Sequence, residues 1–295
     1  MGRALAEAFP VARQTFEEAN DALGFDLAEL CFNGPEEQLR LTEFTQPAIF
    51  TASVAALRVL AEAGATADYF AGHSLGEYSA NVAAGTIDFA AAARTVRRRG
   101  QLMQEAVPAG QGAMAAILGM PAETVLAVCQ DASRELGAPV EPANMNSPEQ
   151  TVISGATAAV ERAIALAKER GARRAVLLQV SAPFHCSLMQ PAQDALAPVL
   201  QGLPFLPAKV PVLVNVDAAL VAEPEALRDA LVRQVTGAVR WTESMQLLIA
   251  QGVTSFVEVG PGKVLSGLLR QIDRSQKCAQ AEDPASIAKL LAPLS

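Results

Sequence analysis

The segment Asp68-Tyr69-Phe70-Ala71-Gly72-His73-Ser74-Leu75-Gly76-Glu77-Tyr78 places a Gly-x-Ser-x-Gly pattern between two kinds of structure. Asp68 to Gly72 is a short apolar run that reads as a strand. Ser74 to Gly85 is rich in small residues and reads as a helix. A serine on a sharp strand-to-helix turn needs small neighbours and is presented as a nucleophile elbow. Its Oγ then stands at a helix N-terminus, where free N–H groups and the helix dipole favour negative charge. The Leu75 N–H, next in the chain, is placed to donate to an oxyanion.

Outward from this elbow, strands and helices alternate. Residues 3–30 read as helix, with a break at Pro10. A helix starts at Gln46-Pro47 and runs through Leu60, and another runs from Asp88 to Gln104. A second rhythm follows: strand 113–118, helix 121–136, strands 140–144 and 152–154, helix 158–170 and strand 175–180. That βαββαβ order is the split pattern of a ferredoxin-like unit. Beyond Pro183 come a helix near 188–200, a strand at 210–216, helices at 224–235 and 242–251, a strand at 255–259 and a helix at 264–272. The expectation is an α/β, hydrolase-like core with a mostly parallel sheet flanked by helices, carrying a small ferredoxin-like insertion. The core would take residues 1–110 and 182–280, the insertion 111–181, and a loosely held C-terminal tail 281–295.

Composition narrows the function classes. Of 295 residues, 51% are hydrophobic and 18% charged, enough for a large core. The net charge of −8 argues against a general nucleic-acid binder, which needs a basic face. Ala48 to Leu57 is apolar but ends at Arg58, so no membrane span is expected. No secretory pattern opens the sequence. Cys31, Cys129, Cys186 and Cys278 are scattered, which suggests a reducing cytoplasm, free thiols and no structural zinc.

A serine nucleophile needs a base, and the sequence has only His73 and His185. His73 adjoins Ser74, and adjacent side chains on a strand end diverge. His185, in a turn after a strand, is therefore the expected base. The acids between Ser74 and His185 considered for a third member are Glu123, Asp131, Glu135, Glu141, Glu149, Glu161 and Glu169. They fall in or beside the insertion and read as solvated surface. A backbone carbonyl is an alternative partner for the histidine.

Six segments together resemble the malonyl-CoA:acyl carrier protein transacylase family. They are Thr45-Gln46-Pro47-Ala48, Gly72 to Tyr78, Arg98 to Gln104, Asn144-Met145-Asn146-Ser147-Pro148, Phe184-His185-Cys186 and Glu258 to Lys263. The resemblance implies malonyl transfer from coenzyme A to the phosphopantetheine thiol of acyl carrier protein. Ser74 would carry the malonyl ester and His185 would act as base and then acid. Arg99 would bind the free carboxylate of the substrate, and Gln46 and Phe184 would line its site. The Gln234 backbone carbonyl would orient His185, and Leu75 would supply an oxyanion N–H. Arg173 and Arg174 would dock the carrier protein. The implied enzyme is a cytoplasmic monomer with no metal and no cofactor beyond its coenzyme A thioester substrate. Leu75 and Phe184 resemble malonyl-selecting members.

In that family a strand and a Gly-Gln-Gly-Ser-Gln loop, the source of a second oxyanion donor, would precede Met1-Gly2. A truncated start is the expectation, with slower turnover, since one oxyanion donor is worth about 10²–10³ in rate. A serine esterase or lipase, and a non-catalytic carrier-binding protein, are the competing readings.

Overall fold

The computed structural model describes residues 1–180 and 182–292. The chain begins with five helices: α1 (Arg3–Ala8), α2 (Pro10–Leu23), α3 (Leu27–Asn33), α4 (Glu36–Leu39) and α5 (Thr42–Glu62). The single helix expected over 3–30 is three. Phe9 is extended ahead of Pro10, which has no N–H to continue a helix. Gly24 ends α2 in the left-handed region at φ 72°. Asp26 restarts the chain, its side chain accepting from Glu29 N at 2.8 Å. α5 begins four residues before Gln46, so Pro47 lies inside it. By length and composition α5 could cross a membrane. Here it is a core helix: Phe50, Val54, Ala55 and Val59 are buried, and Phe50 stacks on Phe89 at 5.3 Å.

The elbow follows, with β1 (Phe70–Ala71), α6 (Gly76–Ala83) and α7 (Phe89–Glu105). Asp88 caps α7 by accepting from Ala91 N at 3.0 Å. The insertion contains β2 (Gly112–Leu118), α8 (Ala122–Leu136), β3 (Val140–Ser147), β4 (Gln150–Ala156), α9 (Thr157–Glu169) and β5 (Arg174–Leu177). Its sheet is antiparallel in the order β3-β4-β2-β5, the ferredoxin-like arrangement. Ile117, Val125, Val128, Ile153, Val160 and Leu166 form a core of its own. β3 also touches the larger unit: Met145 N donates to Val239 O at 2.9 Å and Val239 N to Ala143 O at 2.8 Å.

The chain returns through a 3-10 turn (Ser187–Met189) to α10 (Gln190–Gln201), β6 (Val212–Val214), β7 (Ala219–Val221), α11 (Pro224–Arg233) and α12 (Trp241–Ala250). It ends with β8 (Ser255–Val259), α13 (Val264–Ile272), β9 (Lys277–Ala281) and α14 (Pro284–Leu291). β1 pairs in parallel with β6, and β8 in parallel with β9, while β6 and β7 are antiparallel. The loosely held tail expected from residue 281 is instead structured. Ala281 closes β9, Asp283 caps α14, and Ile287 is buried in the main core. The final residues of that tail, 293–295, lie outside the described residues.

Candidate active site

Ser74 sits between the end of β1 and the first turn of α6, with φ 52°. That left-handed backbone is uncommon for a residue with a Cβ and gives the elbow its sharp reversal. Gly72 makes the turn possible. A Cβ there would stand 1.9 Å from the carbonyl carbon and oxygen of Gly76, whereas Gly76 itself has open space. Of the two glycines in the pattern, sterics demand the first.

The structure brings together Ser74 and His185, 111 positions apart. Ser74 Oγ lies 2.7 Å from His185 Nε2. His185 also has a left-handed backbone, φ 60°, which turns its ring inward from the loop after β5. Its Nδ1–H donates to the Gln234 carbonyl at 2.8 Å. The hydrogen-bond network thereby assigns the tautomer, leaving Nε2 to accept the serine proton. Burial first, and then the charge of Arg99, push the imidazole down to about 3. The ring is therefore neutral near neutral pH, the state a base must start in. His73 points elsewhere: its Nε2–H donates to Asn146 Oδ1 at 2.8 Å, and its ring lies 5.4 Å from that of Trp241.

Arg99 projects from α7 into the same place and is 2% exposed. Its Nη1 donates to Gln46 Oε1 at 2.7 Å, and its Nη2 to Ser74 Oγ at 3.1 Å and Gln234 Oε1 at 3.0 Å. The ring of Tyr78 lies 5.7 Å below the guanidinium. Among the described residues no carboxylate bonds to Arg99, and its Nε has no partner. Burial works against the charge of the guanidinium and the nearby Glu77 carboxylate offsets part of that cost, so Arg99 is a buried cation with no directly bonded acid among the described residues.

The other expected positions are less central. Gln46 is buried and holds Arg99, so it reaches the pair through the guanidinium. Leu75 precedes α6 directly, with its N–H at the elbow. Phe184 is half-buried between the main core and the Met114–Ala143–Val152 cluster. Arg173 and Arg174 are exposed at the start of β5. Among the described residues no group of His, Cys, Asp and Glu could hold a metal ion.

Three residues escaped sequence reasoning. Glu77, buried in the first turn of α6, binds Asn215 and Gln234. Asn215, just past β6, accepts from Ser74 N at 2.7 Å and donates to Gly72 O at 2.7 Å. Glu141 is the exception among the acids read as solvated surface. Its carboxylate accepts from Ser187 N and Oγ at 2.9 and 2.6 Å, tying β3 to the loop that carries His185. Glu77 had a signal, since a residue three positions past the serine faces back along the helix toward the elbow. Asn215 and Glu141 had none, because both act through tertiary contacts.

Comparison with known proteins places this geometry. The acyl transferase domain family matches residues 1–292. The chain is 49% identical to the malonyl CoA-acyl carrier protein transacylase of Bacillus subtilis (strain 168), over 97% of this chain and 90% of that protein. It is also 49% identical to the protein of the same name from Escherichia coli (strain K12), over 97% and 93%. Among solved structures, an acyl carrier protein S-malonyltransferase from Vibrio cholerae superposes with a TM-score of 0.96 at 49% identity, over 98% and 94%. A malonyl-transacylase in complex with its type II PKS acyl-carrier protein superposes equally well at 50% identity, over 99% and 94%. The chain belongs to the acyl transferase domain family.

Proposed function

We propose that this protein transfers a malonyl group from malonyl-CoA to the phosphopantetheine thiol of acyl carrier protein, through an ester on Ser74. One observation carries the reading. A buried guanidinium with no carboxylate bonded to it among the described residues donates to the oxygen of a serine that is itself bonded to a neutral histidine. The free carboxylate of malonate fits that guanidinium by charge and by its forked geometry. A simple esterase would have no use for Arg99, and the relatives bear the name transacylase.

His185 takes the Ser74 proton as Oγ attacks the thioester carbonyl, and the Leu75 N–H supports the developing oxyanion. The imidazolium, poorly stabilised where it is buried beside Arg99, gives its proton to the departing coenzyme A sulfur. In the second half His185 takes a proton from the carrier thiol. The sulfur attacks the ester and Ser74 recovers its proton. Protons and acyl group pass only among Ser74, His185 and the two thiols, so this chemistry requires neither a metal nor a redox cofactor. Every group in it comes from one chain, so a monomer suffices.

Intact-mass measurement after mixing with malonyl-CoA tests the reading. The wild type should carry one malonyl adduct that holo-acyl carrier protein removes, and Ser74→Ala should carry none. An adduct of equal extent in Ser74→Ala would refute the assignment.

A further inference from the structure

A carboxyl group shut off from solvent sits one helical turn beyond the proposed nucleophile. Glu77 is 0% exposed. Its Oε2 accepts from Gln234 Nε2 at 2.8 Å and from Asn215 N at 2.9 Å. Its Oε1 has no partner among the described residues. Both partners lead to the reacting groups. Asn215 braces the elbow on each side of His73, through Ser74 N and Gly72 O. Gln234 touches all three of Ser74, Arg99 and His185. Its Nε2 donates to Ser74 O at 3.0 Å, its Oε1 accepts from Arg99, and its backbone oxygen holds His185 Nδ1.

A glutamine amide can turn end over end at little steric cost, because its oxygen and nitrogen are nearly the same size. Here the two ends meet opposite neighbours. Turned over, the amide would aim its NH₂ at Arg99 and its oxygen at the Glu77 carboxylate, and both contacts would be repulsive. Glu77 and Arg99 together select one orientation, and a charged acceptor makes roughly twice as strong a hydrogen bond as a neutral one. We propose that Glu77 is a positioning residue for acyl transfer, its Oε2 locking the Gln234 amide and the Asn215 backbone so that Ser74, His185 and Arg99 hold their mutual geometry. The proposal rests on the reading of Ser74 as the acylated residue.

The charge on Glu77 is adjustable. Burial pushes the carboxyl up to about 7, against the hydrogen bonds from Asn215 and Gln234 and the charge of Arg99, with Asp217 adding to the rise. Tyr78, next to it on α6, is pushed up to about 12 by burial and stays neutral. His185 is neutral in this range. A proton arriving on Glu77 has Oε1 to occupy, which leaves Oε2 as a weaker, uncharged acceptor. Below about pH 7 the lock on Gln234 should loosen and the rate should fall.

The test follows serine acylation in single turnover between about pH 5.5 and 8.5. The probe is the malonyl thioester of N-acetylcysteamine, whose one ionisable group is the malonyl carboxylate. Wild type should show an acid limb centred near pH 7. Glu77→Gln mimics the neutral acid, and should give a flat profile about tenfold or more below the wild-type plateau. Its melting temperature serves as the control for folding. A flat wild-type profile would overturn the proposal, and so would a Glu77→Gln variant that keeps the plateau rate and the limb. Should that variant fail to fold, Glu77→Asp, which keeps the charge but shortens the reach to Gln234, takes its place: it should keep the limb and lose about tenfold of the plateau, and an unchanged plateau would overturn the proposal. No serine ester in wild type at any pH would overturn the proposed function as well, a separate and recognisable failure.

Discussion

Two arginines of this chain occupy opposite surroundings. Arg99, at the centre of the larger unit, is buried and among the described residues bonds to neutral oxygens, those of Gln46, Gln234 and Ser74. Arg162, on the outer face of the small subdomain, is partly exposed and meets Glu135 through two nitrogens and Glu169 through a third. By contact geometry Arg162 has the better ion pair. By physical consequence Arg99 is the more informative residue. Water and salt screen a surface pair and make it cheap to lose. A buried cation hydrogen-bonded to neutral oxygens, with its nearest charge compensation from an unbonded Glu77, is expensive to keep, and the proposed function gives that expense a use.

Truncating the buried member should produce the largest effect. Arg99→Ala should lower kcat/KM for malonyl-CoA by about 10²–10³, the range for removing one side of a desolvated charge pair. Acetyl-CoA has no free carboxylate, so its use should fall by clearly less, its remaining loss reflecting the contacts of Arg99 with Ser74 and Gln234. A steady-state comparison of the two thioesters checks this. Equal losses would remove Arg99 from the carboxylate and leave it a purely structural role.

Exposed charges can still matter where a charged partner arrives. Arg173 and Arg174 are exposed at the start of β5. If they meet an acidic carrier protein, reversing both to Glu should slow transfer to the carrier by about tenfold at low salt. The difference should shrink as ionic strength rises. Serine malonylation by malonyl-CoA, which does not involve the carrier, should be unchanged. A loss of the same size in both half-reactions would place the effect at the catalytic centre.

The sequence yields the elements of this fold unevenly, for physical reasons. The βαββαβ insertion was readable because its strands and helices alternate cleanly and hold a separate core. The helix at Val264–Ile272 was readable because one face is strongly apolar. β7 and β9 were missed, since three- and five-residue strands without alternation leave little periodic signal. Ser74 and His185 were legible as residue types in local patterns, and Arg99 only through the family resemblance. The side-chain work of Gln234 was hidden, because one amide serving three partners is a property of the folded centre. Chain order points to an acid between serine and histidine as the third catalytic member, and the acids of the insertion read as solvated surface. Glu77 lies in that interval too and reaches Ser74 one residue removed, through Gln234.

The smallest effect expected is also the cleanest control on the comparison. Arg162→Ala removes an arginine that joins α8 to α9 through Glu135 and extends along α9 to Glu169. Its hydrogen bonds hold the Glu135 carboxyl below the usual carboxylate range. The sign follows from linkage: a depressed carboxyl stabilises the fold above its unfolded-state pKa, and that contribution disappears as pH falls through the folded value. Near neutral pH any contribution is therefore fully present, yet both groups remain wet. The melting temperature of Arg162→Ala should lie within about 2 °C of wild type. The difference should vanish in about 1 M salt, where the Debye length is near 3 Å. Malonyl transfer should not change. A larger, salt-insensitive drop would mean that the aliphatic stem of Arg162, packed along the helix pair, contributes more than its charge.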